Sequence, residues 1–177
     1  MRTYSHAVLS WAAARRVVPS EARPALLAAA GATLPDVPAG LGGAILALRR
    51  RRWFARGEFS RDVCGRRRFS GPDAALHSLL PVSAALALYG LALGYGARRL
   101  DRRGAGLTFL LGWAGHALTD ALTHGGDARP LLWPVSRWRF ESPVSYWERG
   151  RHGRAFALAE HALLVLAVAP GKRIGAR

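Results

Sequence analysis

Residues Gly112-Trp-Ala-Gly-His116-Ala-Leu-Thr-Asp120-Ala-Leu-Thr-His124 place two imidazoles and a carboxylate at four-residue intervals in an otherwise apolar helical segment. Each step of four advances about 40° around a helix of 3.6 residues per turn, so the three side chains share one stripe. Groups of this kind are not buried among apolar side chains without a partner. A metal ion suits all three, because neutral imidazole and carboxylate both ligate Zn²⁺.

The rest of the chain is built to hold such a helix among others. Its 177 residues fit one domain, 1–177, with half the residues hydrophobic and a formal net charge of +15. Of 26 basic residues only Lys172 is lysine. The arginines cluster at Arg49–Arg52, Arg66–Arg68, Arg98–Arg99 and Arg102–Arg103, between apolar stretches rather than along one helix face. That distribution favours basic loops flanking membrane segments over a nucleic-acid surface. The single cysteine, Cys64, excludes an internal disulfide and a cysteine-based zinc site. A reactive thiol beside Arg66–Arg68 is the minor reading of Cys64. The first residues show no removable signal peptide.

Periodicity gives an all-α chain. Short helices are expected over 6–18, over Pro24–Leu34 and over Gly40–Arg52. The second must stop at Pro35, because the residue before proline avoids the helical region. Residues 53–72 read as an exposed, arginine-rich loop, with Asp73 as a helix-start residue. Ser78–Ala97 is a charge-free run of 20 residues, long enough to cross a bilayer core of ~30 Å. A basic turn, Arg98–Arg103, joins it to Ala105–His124 as a helical hairpin. Residues 127–151, with Pro130, Pro134, Pro143 and clustered aromatics, form a loop or partly helical cap. Arg154–Ala169 is a last apolar helix carrying Glu160 and His161.

An antiparallel hairpin centred near residues 100–101 sets His77 level with His124, with Asp120 one turn deeper, so His77 is expected near both. Asp36 and His6 lie at or near ends of other helices, where they can reach the same end of the bundle. Helical bundles build metal sites from ligands on several helices in this way. Glu160, inside an apolar helix, needs a cation, which Arg154 could supply. His152 and His161 read as structural or exposed, and Asp127 as a turn residue.

These residues bring a family into view. The series Ser5-His6, Gly31-Ala-Thr-Leu-Pro35-Asp36, His77-Ser78-Leu79, Gly112-x-x-Gly115-His116-x-x-x-Asp120 and Leu132-Trp133-Pro134 resembles the LexA-regulated, inner-membrane-associated metal-dependent hydrolases of bacteria. The His-x-x-x-Asp step is also similar to that of the zinc-dependent phospholipases C and single-strand-specific zinc nucleases, which are all-α enzymes. The resemblance implies a bacterial inner-membrane location. It also implies one zinc ion, or two, with another divalent metal as the alternative. By that likeness Asp36, His77, His116 and Asp120 hold one zinc, and His6, His124 and Glu160 are candidates for further metals. Two departures stand out: Pro38 replaces a second acidic residue usual after Leu-Pro-Asp, and Phe156 stands four before Glu160 where the phospholipases carry histidine.

The leading reading is therefore a membrane-associated hydrolase using metal-activated water on a phosphoester, with membrane lipid as partner. In it Asp36 or Asp120 is part ligand and part general base, and Arg137 or Arg139 binds phosphate. The aromatics of Trp133–Trp147 serve equally as an interfacial belt. Two rivals are a non-catalytic membrane protein stapled by a structural metal and a soluble basic nuclease or nucleic-acid binder. The basic clusters conflict over which end faces the cytoplasm, so orientation stays open.

Overall fold

The computed structural model describes residues 1–18, 21–55, 58–64, 67–99, 101 and 103–169. Pro19, Ser20, Arg66, Arg102, Lys172 and the side chains of Cys64, Arg67, Arg68 and Arg98 lie outside the described residues. Among the described residues the fold is all-α, as expected: α1 (Thr3–Val17), α2 (Ala22–Thr33), α3 (Val37–Arg50), α4 (Arg67–His77), α5 (Leu79–Gly94), α6 (Ala105–Thr123) and α7 (Gly153–Val168).

α2 and α6 form the central seam, and small residues make it possible. Cβ atoms built at Gly31 and Gly112 would collide with the carbonyl oxygens of Phe109 and Ala28, respectively. Ala25, Ala28, Ala32 and Ala117 are buried. Small side chains let two helix backbones approach closely, the usual basis of helix association in lipid. α1 packs against α2, α6 and α7, and α5 against α6.

Pro35 ends α2 as expected, yet the chain stays helical. Leu34–Asp36 tightens into a 3₁₀ turn and α3 follows at once, with Pro38 among its first residues. Proline is tolerated there because the first helical N–H groups have no intrahelical acceptor. Taken together Ala22–Arg50 is 29 residues with hydropathy 1.2, long and apolar enough to cross a membrane.

Three expectations need correction. α4 begins at Arg67, so the segment over 53–72 is not all irregular, and Asp73 lies inside a helix rather than at its start. The run Ser78–Ala97 is not one straight span: α5 has only 16 residues, ~24 Å at 1.5 Å per residue. It is long and apolar enough to cross a membrane only together with Ser70–His77, from which it is bent by 58°. The bend sits at Ser78, whose Oγ donates to the Leu131 carbonyl at 2.7 Å, while the Leu79 N–H donates to the same oxygen at 2.9 Å. Third, His77 meets Asp120 as expected, but the bend takes α4 across α6, so its other neighbour is His116 rather than His124.

Residues 124–152 form a largely non-helical cap with one 3₁₀ turn, Arg149–Arg151. It is tied to the end of α6 by Ser142 N–H to the His124 carbonyl, 2.9 Å, and Tyr146 N–H to the Thr123 carbonyl, 3.1 Å.

Candidate metal centre

Four residues from four places in the chain converge. One ligand atom each from Asp36, His77, His116 and Asp120 lies within 4.8 Å of the others. His116 Nε2 is 3.2 Å from His77 Nε2, 3.2 Å from Asp120 Oδ2 and 3.9 Å from Asp36 Oδ1. His77 Nε2 is 3.5 Å from both Asp36 Oδ1 and Asp120 Oδ2. Bonds of ~2.0–2.2 Å to a tetrahedral ion imply ligand–ligand edges of roughly 3.3–3.6 Å. The cluster already has nearly those edges.

The tautomers sharpen the point. His116 Nδ1 lies 2.6 Å from the Ala32 carbonyl and His77 Nδ1 lies 2.8 Å from the Asp73 carbonyl. A carbonyl oxygen only accepts, so each Nδ1 carries a proton, and a neutral ring held this way offers Nε2 as its ligand atom. Two Nε2 atoms 3.2 Å apart, both against carboxylates, form a pocket of donor atoms that could hold a cation. Backbone carbonyls fixing the ring orientation are the usual support behind metal-bound histidines.

Local folding explains why each group arrives. Ala32 lies in the last turn of α2, where carbonyls lack intrahelical partners, and His116 takes its oxygen across the glycine-lined seam. Asp36 holds the N-cap position of α3 but makes no capping bond. Its carboxylate instead accepts from Thr3 Oγ1 and turns toward His77. His77 closes α4 just before the bend. His116 and Asp120, one helical turn apart on α6, are buried at 1% and 6% exposure, whereas Asp36 is half-buried.

The remaining sequence candidates surround this group. His6 donates through Nε2 toward Asp120 Oδ1 at 2.8 Å and stacks on His116 with ring centroids 3.8 Å apart. Burial is the largest influence on His6 and holds it below the usual histidine value, outweighing the bond to Asp120. The Met1 amino group also donates to Asp120 Oδ1, at 2.7 Å, and to Thr123 Oγ1, at 2.9 Å. His124 gives its Nδ1 proton to the Asp120 carbonyl at 3.0 Å, and its Nδ1 lies 3.6 Å from Asp120 Oδ2.

Glu160 is not brought to the four. It accepts from the Arg2 N–H at 3.0 Å and pairs with the Arg2 guanidinium. Arg2, not Arg154, is its cation. His161 is exposed and bonds Tyr4, and His152 is exposed, as expected.

Residues outside the expected set also contribute. Asp73, buried, has Oδ1 3.5 Å from His77 Nδ1 and Oδ2 3.1 Å from Arg129 Nε. Its spacing of four from His77 repeats the spacing of His116 and Asp120 and was the available signal. Thr3 had none. A cavity of about 10 Å³, room for about one water, adjoins the cluster and is lined by His77, Asp120, Ala121, His124, Arg129 and Leu131. Arg137 and Arg139 are exposed and do not line it.

A family model described as YdjM inner membrane protein matches residues 1–173. Neither the curated proteins nor the solved structures compared with the chain include a match. The inner-membrane family is thus borne out, and the phospholipase C likeness has no counterpart among these findings. With a match running over nearly its whole length, the chain belongs to the YdjM inner membrane protein family and resides in the bacterial inner membrane.

Proposed function

We propose that the protein is a membrane-embedded, metal-dependent hydrolase with a single zinc-type ion held by Asp36, His77, His116 and Asp120. The observation that carries the reading is the pair of Nε2 atoms, 3.2 Å apart and flanked by two carboxylates, in rings oriented by backbone carbonyls at Nδ1. When bound there, a divalent ion would supply Lewis-acid polarisation and lower the pKa of its bound water toward about 7.

The protein's own groups divide the remaining work. His77 and His116 hold fixed tautomers through the Asp73 and Ala32 carbonyls. Asp120 is buried with Oδ1 already taken by His6 and the Met1 amino group, which suits a fixed ligand. Asp36 keeps an exposed edge, with Thr3 bonded to one oxygen. That makes Asp36 the better placed of the two carboxylates to accept a proton from an attacking water. The phosphoester class rests on the phospholipase C likeness alone. Beside it stands the reading of a structural metal staple, which the burial of three of the four ligands favours.

Hydrolysis of a chromogenic phosphodiester by detergent-purified, zinc-loaded protein separates the two. Activity that chelation abolishes and Asp36→Asn lowers by about 10²-fold or more fits the hydrolase. Stoichiometric zinc with no hydrolysis beyond that of the Asp36→Asn variant fits the staple.

A further inference from the structure

Among the described residues, Arg129 is the one arginine in the wall of the small cavity beside the four-residue cluster. It follows α6 in the cap, three-quarters shielded, with 21% side-chain exposure. Asp73 and Asp127 hold two of its edges: Nε donates to Asp73 Oδ2 at 3.1 Å, and Nη1 donates to the Asp127 carbonyl at 3.0 Å. Nη1 also lies 3.7 Å from Asp127 Oδ2. Nη2 makes no hydrogen bond among the described residues. A guanidinium is planar, so anchoring Nε and Nη1 fixes where the free nitrogen points at no further entropic cost. Asp73 meanwhile faces His77. One carboxylate therefore spaces the guanidinium from the metal-ligand histidine.

Resting on the metal reading above, the geometry points to Arg129 as the oxyanion-binding residue of the site. A phosphoryl oxygen, from a lipid headgroup or from free phosphate, would enter the cavity that Arg129 and two cluster residues, His77 and Asp120, line together. The remaining guanidinium nitrogen, Nη2, and a divalent cation beside one small space select an anionic oxygen over a neutral ester or amide carbonyl. Arg129 replaces Arg137 and Arg139 in this role, both of which are exposed and away from the cavity.

The test is calorimetric titration of zinc-loaded, detergent-purified protein with inorganic phosphate, with metal content measured on the same samples. Wild type binds phosphate, Arg129→Gln binds it about tenfold more weakly or worse, Arg129→Lys falls between, and all three retain zinc. Arg137→Gln leaves the affinity unchanged. Equal affinity in zinc-bearing Arg129→Gln overturns the assignment. So does a loss caused by Arg137→Gln, which keeps the test valid if the Arg129 variants fail to fold, and so does zinc-bearing wild type that binds no phosphate. Wild type that binds no zinc instead overturns the metal reading beneath it. Repeating the titration with short-chain phosphatidylglycerol separates the sources: tighter binding than inorganic phosphate assigns a headgroup, and weaker binding assigns the free ion.

Discussion

α6 and α5 are neighbours of similar composition, yet they carry opposite information. α6 buries His116, Ala117, Asp120 and Thr123 on the face toward α2 and α4, and every polar atom there has a named direction. α5 buries only Val82, while Leu88 and Leu91 are exposed at 66% and 57%. α7 is similar, with Glu160 buried and Leu158, Leu163 and Leu166 outward. In an inner-membrane protein such outward leucines meet lipid tails and need no protein partner. The lipid-facing surface tolerates many sequences. The α2–α6 seam and the cluster it positions tolerate few.

Breaking that seam should have the largest effect. Gly112→Leu forces a side chain against the Ala28 backbone, which cannot give way, at a cost of ~3 kcal/mol or more. It should lower the melting temperature in detergent sharply and abolish metal binding. Gly90→Leu, on the open face of α5 with nothing within 4 Å of a Cβ, should do neither. Comparable loss in both variants would erase the contrast between the two helices.

Sharpening the comparison takes a smaller change. Asp73→Asn leaves the helices in place but alters the group that faces His77 Nδ1 and bonds Arg129. Metal affinity, measured by competition with a chelator of known affinity, should fall about tenfold while the melting temperature of the metal-free protein stays near that of wild type. An unchanged affinity would reduce Asp73 to a buried anchor for Arg129 and the cap.

The polar stripe was legible in the sequence because its geometry is local: four residues make one helical turn, whatever surrounds them. Asp36 was legible through Pro35, which marks the break where a carboxylate can leave the helix path. The rest depended on distant chain. Hairpin register alone sets His77 beside Asp120 and His124; the first contact holds, and the bend at Ser78, held by the Leu131 carbonyl, exchanges the second for His116. Asp73 was missed because Arg66–Arg68 and Pro72 looked like a loop leading into a helix start, whereas α4 runs through Pro72. Glu160 was correctly read as needing a cation, but the cation came from Arg2, 158 positions away. Nothing in the apolar pattern could single out Gly31 and Gly112 from the other glycines, since only their neighbours on the opposite helix do so.

The central claim is that Asp36, His77, His116 and Asp120 hold an ion. Elemental analysis of detergent-purified protein, counting metal per chain, tests it most directly, with wild type beside His116→Ala, His77→Ala and the exposed control His152→Asn. Asparagine suits the left-handed backbone of residue 152, with φ of 62°, so that variant should not disturb the fold. The account predicts near-stoichiometric zinc in wild type and His152→Asn, with most of it lost in both cluster variants. Metal-free wild type that cannot be reconstituted, or full metal content in both cluster variants, would contradict it.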